Sequence, residues 1–190
     1  MSPGAFAELQ QRVHRCTELV HKKTGGGSEA TYVIGGVDHV VRISGAKSTE
    51  QLKDEILNLY VWIWSIKDHL KELCRRRGVD PQRIERIADS EPSLTIAADI
   101  ANQAKHGELK SSRSGRFPRL SVVGLEFPGA SIQHISAEAQ RVEVNIGLPE
   151  SAIIHAQISF TDGTPTLDAL INAEQAIHAW QTRAFPLAGV

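Results

Sequence analysis

The 190-residue chain reads as an α+β protein, an antiparallel bundle of four main helices with a small antiparallel sheet on its flank. Three observations predict this. Long segments carry apolar residues at helical spacing, several short β-branched runs alternate with polar residues, and the strands fall into two inserts between helices. One domain over 1–190 is expected, with helices within 2–23, 48–110 and 164–185 and β insertions at 29–44 and 119–161.

The first helix is expected from Pro3 to about Lys23, with Ser2 as N-cap and Phe6, Leu9, Val13, Cys16 and Val20 on one face. Gly25, Gly26 and Gly27 end it, because glycine is costly inside a helix. Thr31–Ile34 and His39–Ile43 read as a hairpin around Gly35-Gly36. The second helix is capped by Ser48 or Thr49 and runs to Arg77, where Gly78 stops it. Leu52, Ile56, Leu59, Ile63, Ile66, Leu70 and Leu73 form its apolar face. A short helix capped by Asp80 follows, and a third long helix is expected from Ser90 or Pro92 to about Lys110. Ser111–Arg119 reads as a polar, flexible linker. Leu120–Phe127, Ser131–Ile135, Arg141–Ile146 and Ile153–Phe160 read as strands of an antiparallel meander with one wet face. The last helix is expected to start at Pro165 and to bring Trp180 against Trp62 and Trp64 of the second helix.

Composition bounds the function. The chain is 41% hydrophobic and 23% charged with a formal net charge of -1, so no global field draws it to nucleic acid or to a membrane surface. No run of about 18 uncharged apolar residues is present, and Met-Ser-Pro-Gly-Ala-Phe-Ala-Glu lacks the pattern of a signal peptide. Cys16 and Cys74 are read as reduced thiols of a cytoplasmic protein. The glycine run is no P-loop, and neither a dinucleotide fingerprint nor a nucleophile elbow occurs, so no cofactor is named.

The segment Asp99-Ile-Ala-Asn102-Gln-Ala-Lys105-His106 carries the chemistry. Thr95, Asp99, Asn102 and His106 recur at helical spacing as a polar stripe opposite Leu94, Ala97, Ala98, Ala101 and Ala104. Such groups are costly to bury without partners, so the stripe marks a network or a site. Asp68 and His69 interrupt the second helix in the same way. With a rise of about 1.5 Å per residue, an antiparallel third helix would bring Asn102 to the depth of that pair. Three readings follow. The cluster is a hydrogen-bond network that fixes helix packing; or it lines a pocket for a nucleotide, an RNA phosphate or another small anion; or Asp68, His69, Asp99 and His106 hold a divalent metal. In the pocket reading His106, with His69, serves as acid or base, Lys105 contacts phosphate, and Asp68, Asp99 and Asn102 bind ligand. Lys110, Arg113, Arg116 and Arg119 extend a basic run that could grip nucleic-acid phosphates, with Phe117 as its one stacking ring and Arg75, Arg76 and Arg77 as an extension. Ser111, Ser112 and Ser114 read as plain linker serines, and His134 and His155 as an exposed pair across the sheet.

Several large helices with Asn102-x-x-Lys105-His106 in the third resemble the HEPN superfamily over about half of the chain. The resemblance implies a helical bundle, often a homodimer, that is either a metal-independent endoribonuclease of toxin or phage-defence type or a binding and scaffold module. The family's catalytic signature is an Arg followed after four to six residues by His. Residues 99–101 are Asp-Ile-Ala, so that Arg is missing before His106, and the one match is Arg15 with His21 on the first helix. The helix-two and helix-three pattern is also similar to one in bacterial proteins, which brings no activity with it. A binding or scaffold module is therefore the expected function, with an endoribonuclease or phosphate-directed hydrolase as the alternative.

Overall fold

The computed structural model describes residues 3–190, so the expected Ser2 cap lies outside the described residues. The described residues form a mixed α and β fold with five helices and two small sheets. The helices are α1 (Pro3–His21), α2 (Thr49–Arg76), α3 (Gln82–Ser90), α4 (Pro92–His106) and α5 (Ala169–Ala179). A π turn over Trp180–Ala184 and a final helical turn over Phe185–Ala188 follow α5. The strands are β1 (Ser28–Ile34), β2 (Val37–Ser44), β3 (Arg119–Glu126), β4 (Ile132–Glu138), β5 (Arg141–Ile146), β6 (Ile153–Ser159) and β7 (Leu167–Asp168).

The local signals explain most boundaries. Ser48 Oγ accepts the Gln51 N–H at 3.0 Å at the start of α2, and Asp80 Oδ1 accepts the Gln82 N–H at 2.9 Å before α3. Gly35 and Gly36 both adopt positive φ, 61° and 80°, which suits the two-residue connection of the β1–β2 hairpin. Two ends differ from expectation. Helix α4 stops at His106 because Gly107 turns to φ 77°, so Lys110 is off the helix. Helix α5 begins at Ala169, not at Pro165, because the Asp168 carboxylate accepts the N–H groups of Leu170 and Ile171 at 2.8 and 2.9 Å. Leu167, placed in that helix from sequence, pairs with Ile158 as a short strand.

The single antiparallel sheet is also corrected. One sheet has the order β1-β2-β5-β4 and the other β3-β6-β7. Strands β2 and β5 run parallel, with Val41 beside Val142 and Ile43 beside Val144. Alternating side chains look the same in parallel and antiparallel strands, and the partners lie about a hundred residues apart in the chain, so the sequence could not show this pairing. His134 and His155 consequently lie in different sheets, and His155 Nε2 is 2.7 Å from Glu126 Oε2.

The chain divides into two compact units. One holds residues up to Leu19 with Glu55–Val122 and Ala156–Val190; the other holds Val20–Asp54 and Val123–His155. The core of the first is built on Tyr60, Ile63, Leu70, Ile84, Leu94, Ile100, Ile158 and Trp180, all fully buried. Helix α4 packs against α3 and α5. Trp180 and Trp64 lie with ring centres 6.3 Å apart, as the sequence suggests, and Trp180 Nε1 donates to Ile63 O at 3.0 Å. The half-buried Trp62 instead lies under the Arg12 guanidinium, 4.9 Å from its ring centre. Buried Tyr60 donates its hydroxyl to Ala169 O at 2.7 Å. The second unit carries the four-stranded sheet, and its buried apolar residues are Val20, Ala46, Leu52, Ile146 and Ala152. Among the described residues, no helix is long and apolar enough to cross a membrane.

Candidate functional site

Every residue of α4 from Ser93 to Ala101 is buried, so the polar stripe starts inside the protein. Thr95 satisfies its hydroxyl on Pro92 O at 2.9 Å. Asp99 is fully buried and meets the segment that follows α4. Its Oδ2 accepts from Ser112 Oγ at 2.7 Å, Ser114 Oγ at 2.7 Å and Ser114 N at 3.0 Å; its Oδ1 accepts from Arg113 N at 2.7 Å. Each hydroxyl then accepts a further amide, Phe117 N on Ser112 and Arg116 N on Ser114. One carboxylate thus orders the loop over 112–117, and a buried acceptor with four donors is far cheaper than an unpaired one. The linker read as flexible is held, and Ser112 and Ser114 are structural partners. The same hold keeps Phe117 at φ 47°, an unusual backbone for an aromatic residue.

The basic run divides. Arg113 Nη2 and Nε bind Glu85 Oε2 and Asp89 Oδ1, each at 2.7 Å, and its guanidinium lies 4.9 Å from the Trp64 ring centre. Glu85 also receives Lys71 at 2.5 Å and stands 3.5 Å from Lys67. Burial alone would push the Glu85 carboxyl up, but hydrogen bonds from Lys71 and Arg113 and the Lys67 charge outweigh it and hold it at about 2. Arg116 stacks 3.8 Å from the Phe160 ring centre and lies 3.5 Å from Asp162. So two of the four residues expected to contact nucleic acid, Arg113 and Arg116, are used inside the fold. Lys110 and Arg119 are exposed. Arg75 and Arg76 pair with Glu72, and Arg77 donates to Ala188 O.

The expected meeting of α2 and α4 side chains is not what the fold makes. Asp68 points to water with a side chain 74% exposed and lies 3.5 Å from Lys67. His69 Nδ1 is 3.0 Å from Ser65 O of its own helix, and its ring lines a shallow recess with Leu9, Arg12 and Trp62. The register estimate fails because α3 lies between the two long helices in sequence and packs on α4. Among the described residues, no three His, Cys, Asp or Glu side chains stand together as a metal site.

Asn102 and His106 do come together. With Glu108, Leu109, Lys110 and Ser111 they line an open recess of about 580 Å³, where α4 ends and the chain turns back towards the Asp99-held loop. Asn102 is half-buried, and His106 and the neighbouring Lys105 are exposed. Two basic side chains in the last turn suit the carbonyl end of a helix. A second recess, of about 500 Å³, has Arg83, Arg86 and Ser90 on α3 and Arg183 beyond α5. There Arg86 pairs with Asp80 at 3.0 Å, and Arg183 pairs with Glu91. Its helical spacing, Arg83-x-x-Arg86-x-x-x-Ser90, is legible in the sequence.

No protein-family model matches the chain, and no curated protein or solved structure matches it.

Proposed function

We propose that this protein is a binding module whose recess at the end of α4 takes a small phosphate-bearing ligand of nucleoside monophosphate size. The observation that supports it is an open recess of about 580 Å³ around which the end of α4 and the residues after it gather Asn102, His106, Glu108 and Lys110. Ligand sites are commonly preformed hollows of roughly 300–1,000 Å³ with a few convergent polar groups. The side chains here offer matched chemistry. Lys110 and the His106 ring suit a phosphate, Glu108 can accept ribose hydroxyls, Asn102 can read a base edge, and Leu109 offers an apolar wall.

This reading follows the non-catalytic branch of the HEPN-like resemblance. The endoribonuclease alternative rests on His106, with His69 as an optional second group, and His69 lies in a different recess. Calorimetric titration with AMP tests the proposal. Saturable one-site binding that weakens about tenfold in Lys110→Ala, a loss of about 1.4 kcal/mol, is expected. Binding that Lys110→Ala and His106→Ala leave unchanged would contradict it.

A further inference from the structure

The four-stranded sheet has two unlike faces. Strand register puts Ala30, Tyr32 and Ile34 of β1 on one face with Val37, His39, Val41 and Ile43 of β2, Val142 and Val144 of β5, and Ile135 and Ala137 of β4. No carboxylate, lysine or arginine occurs among them. The opposite face carries Glu29, Arg42, Glu143, Arg141, Glu138 and Asp38, and the Glu29–Arg42 and Arg141–Glu143 pairs are closed upon it. An amphipathic sheet ordinarily buries its apolar face. Here most of that face is open to water: Tyr32 is 56%, Ile34 63% and Ile135 57% exposed, and of the residues on it Ile146, at the end of β5, is buried while those just named are not.

We infer that this face is an interface, and that its occupant is the same face of a second copy, packed sheet on sheet about a two-fold axis. Charge decides the occupant. A face without formal charge meets itself without like-charge opposition, which is what an isologous contact requires. The lack of basic groups argues against a lipid surface: Arg42 and Arg141 lie on the opposite face, paired with Glu29 and Glu143. Area sets the strength. Four strands about 4.8 Å apart and some seven residues long at about 3.3 Å each give a face on the order of 400 Å². Two such faces make roughly 800–900 Å², below the about 1,200 Å² at which stable interfaces begin, so the dimer is weak and reversible, with a Kd of micromolar order.

Sedimentation velocity over about 1–200 μM protein tests this, because a micromolar Kd places the transition inside that range. Wild type is expected to pass from one to two copies. Ile34→Glu and Ile135→Glu, which place a charge on the apolar face at exposed positions, are expected to weaken the dimer at least tenfold without lowering the melting temperature. Val33→Glu, on the opposite face and 70% exposed, is expected to leave the dimer intact. A wild type that stays monomeric throughout overturns the inference and gives the face to another partner. A dimer that weakens equally with Val33→Glu overturns the face-to-face geometry in favour of pairing along the free edge of β1.

Discussion

In the first half of α4, Thr95 and Asp99 lie among buried neighbours and every polar atom they carry has a partner within the fold. One to two turns later, Asn102 and His106 carry the same helical spacing out to the surface and line an open recess. One stripe thus serves two ends. The inner part fixes the loop over 112–117, and the outer part faces the hollow lined by Glu108–Ser111, the residues just before that loop. Residue type does not separate the two halves; depth does. A carboxylate at depth must be satisfied by the chain itself, whereas an imidazole at the mouth is free to meet a ligand.

The comparison breaks most sharply at Asp99. Asp99→Ala leaves two backbone N–H groups and two hydroxyls without their acceptor and is expected to cost about 3–5 kcal/mol in urea unfolding. A cost under about 1 kcal/mol would show that the loop is not held this way. Next comes Glu85, the hub of Lys67, Lys71 and Arg113. Glu85→Gln leaves three cations close together and is expected to cost about 2–3 kcal/mol. Its carboxyl is held below the ordinary 4.5, so the folded state binds this proton less readily than the unfolded chain. The contribution is therefore complete above pH 4.5 and is lost as pH falls towards 2. Wild type should lose stability across that window by more than Glu85→Gln does, and parallel pH profiles would contradict the assignment.

His106→Ala sharpens the comparison from the other side. Its melting should match wild type within about 0.5 kcal/mol, while AMP binding weakens about tenfold, or 1.4 kcal/mol. A large loss of stability would place His106 with Asp99. The smallest effect is expected at Phe117, whose positive φ is costly for an aromatic side chain. Phe117→Gly should change stability by no more than about 1 kcal/mol, and in the stabilising direction, because glycine adopts that backbone freely.

The sequence carried the elements further than their assembly. Ser48, Asp80 and Gly78 mark boundaries because caps and left-handed residues act within a few positions of themselves. The stripe from Thr95 to His106 was visible for the same reason: a helix repeats its faces every few residues. The parallel β2–β5 pairing was not visible, since it joins segments about a hundred residues apart. Nor was the attachment of Ser112 and Ser114 to Asp99, because a serine in a polar stretch looks alike whether it faces water or a carboxylate. Asp68 and His69 were misplaced because their companionship with Asn102 rested on a register that the intervening α3 does not keep.

The central claim is that the outer half of the stripe is a ligand recess while the inner half is structure. The most direct test is a two-dimensional NMR titration of isotope-labelled protein with AMP, following the His106 ring, the Asn102 side-chain amide and the backbone from Glu108 to Ser111. Saturable shifts concentrated on these groups, with the Ser112 and Ser114 amides moving little, are the predicted result. Shifts centred instead on Arg83, Arg86 and Arg183, or no saturable shift at all, would contradict it.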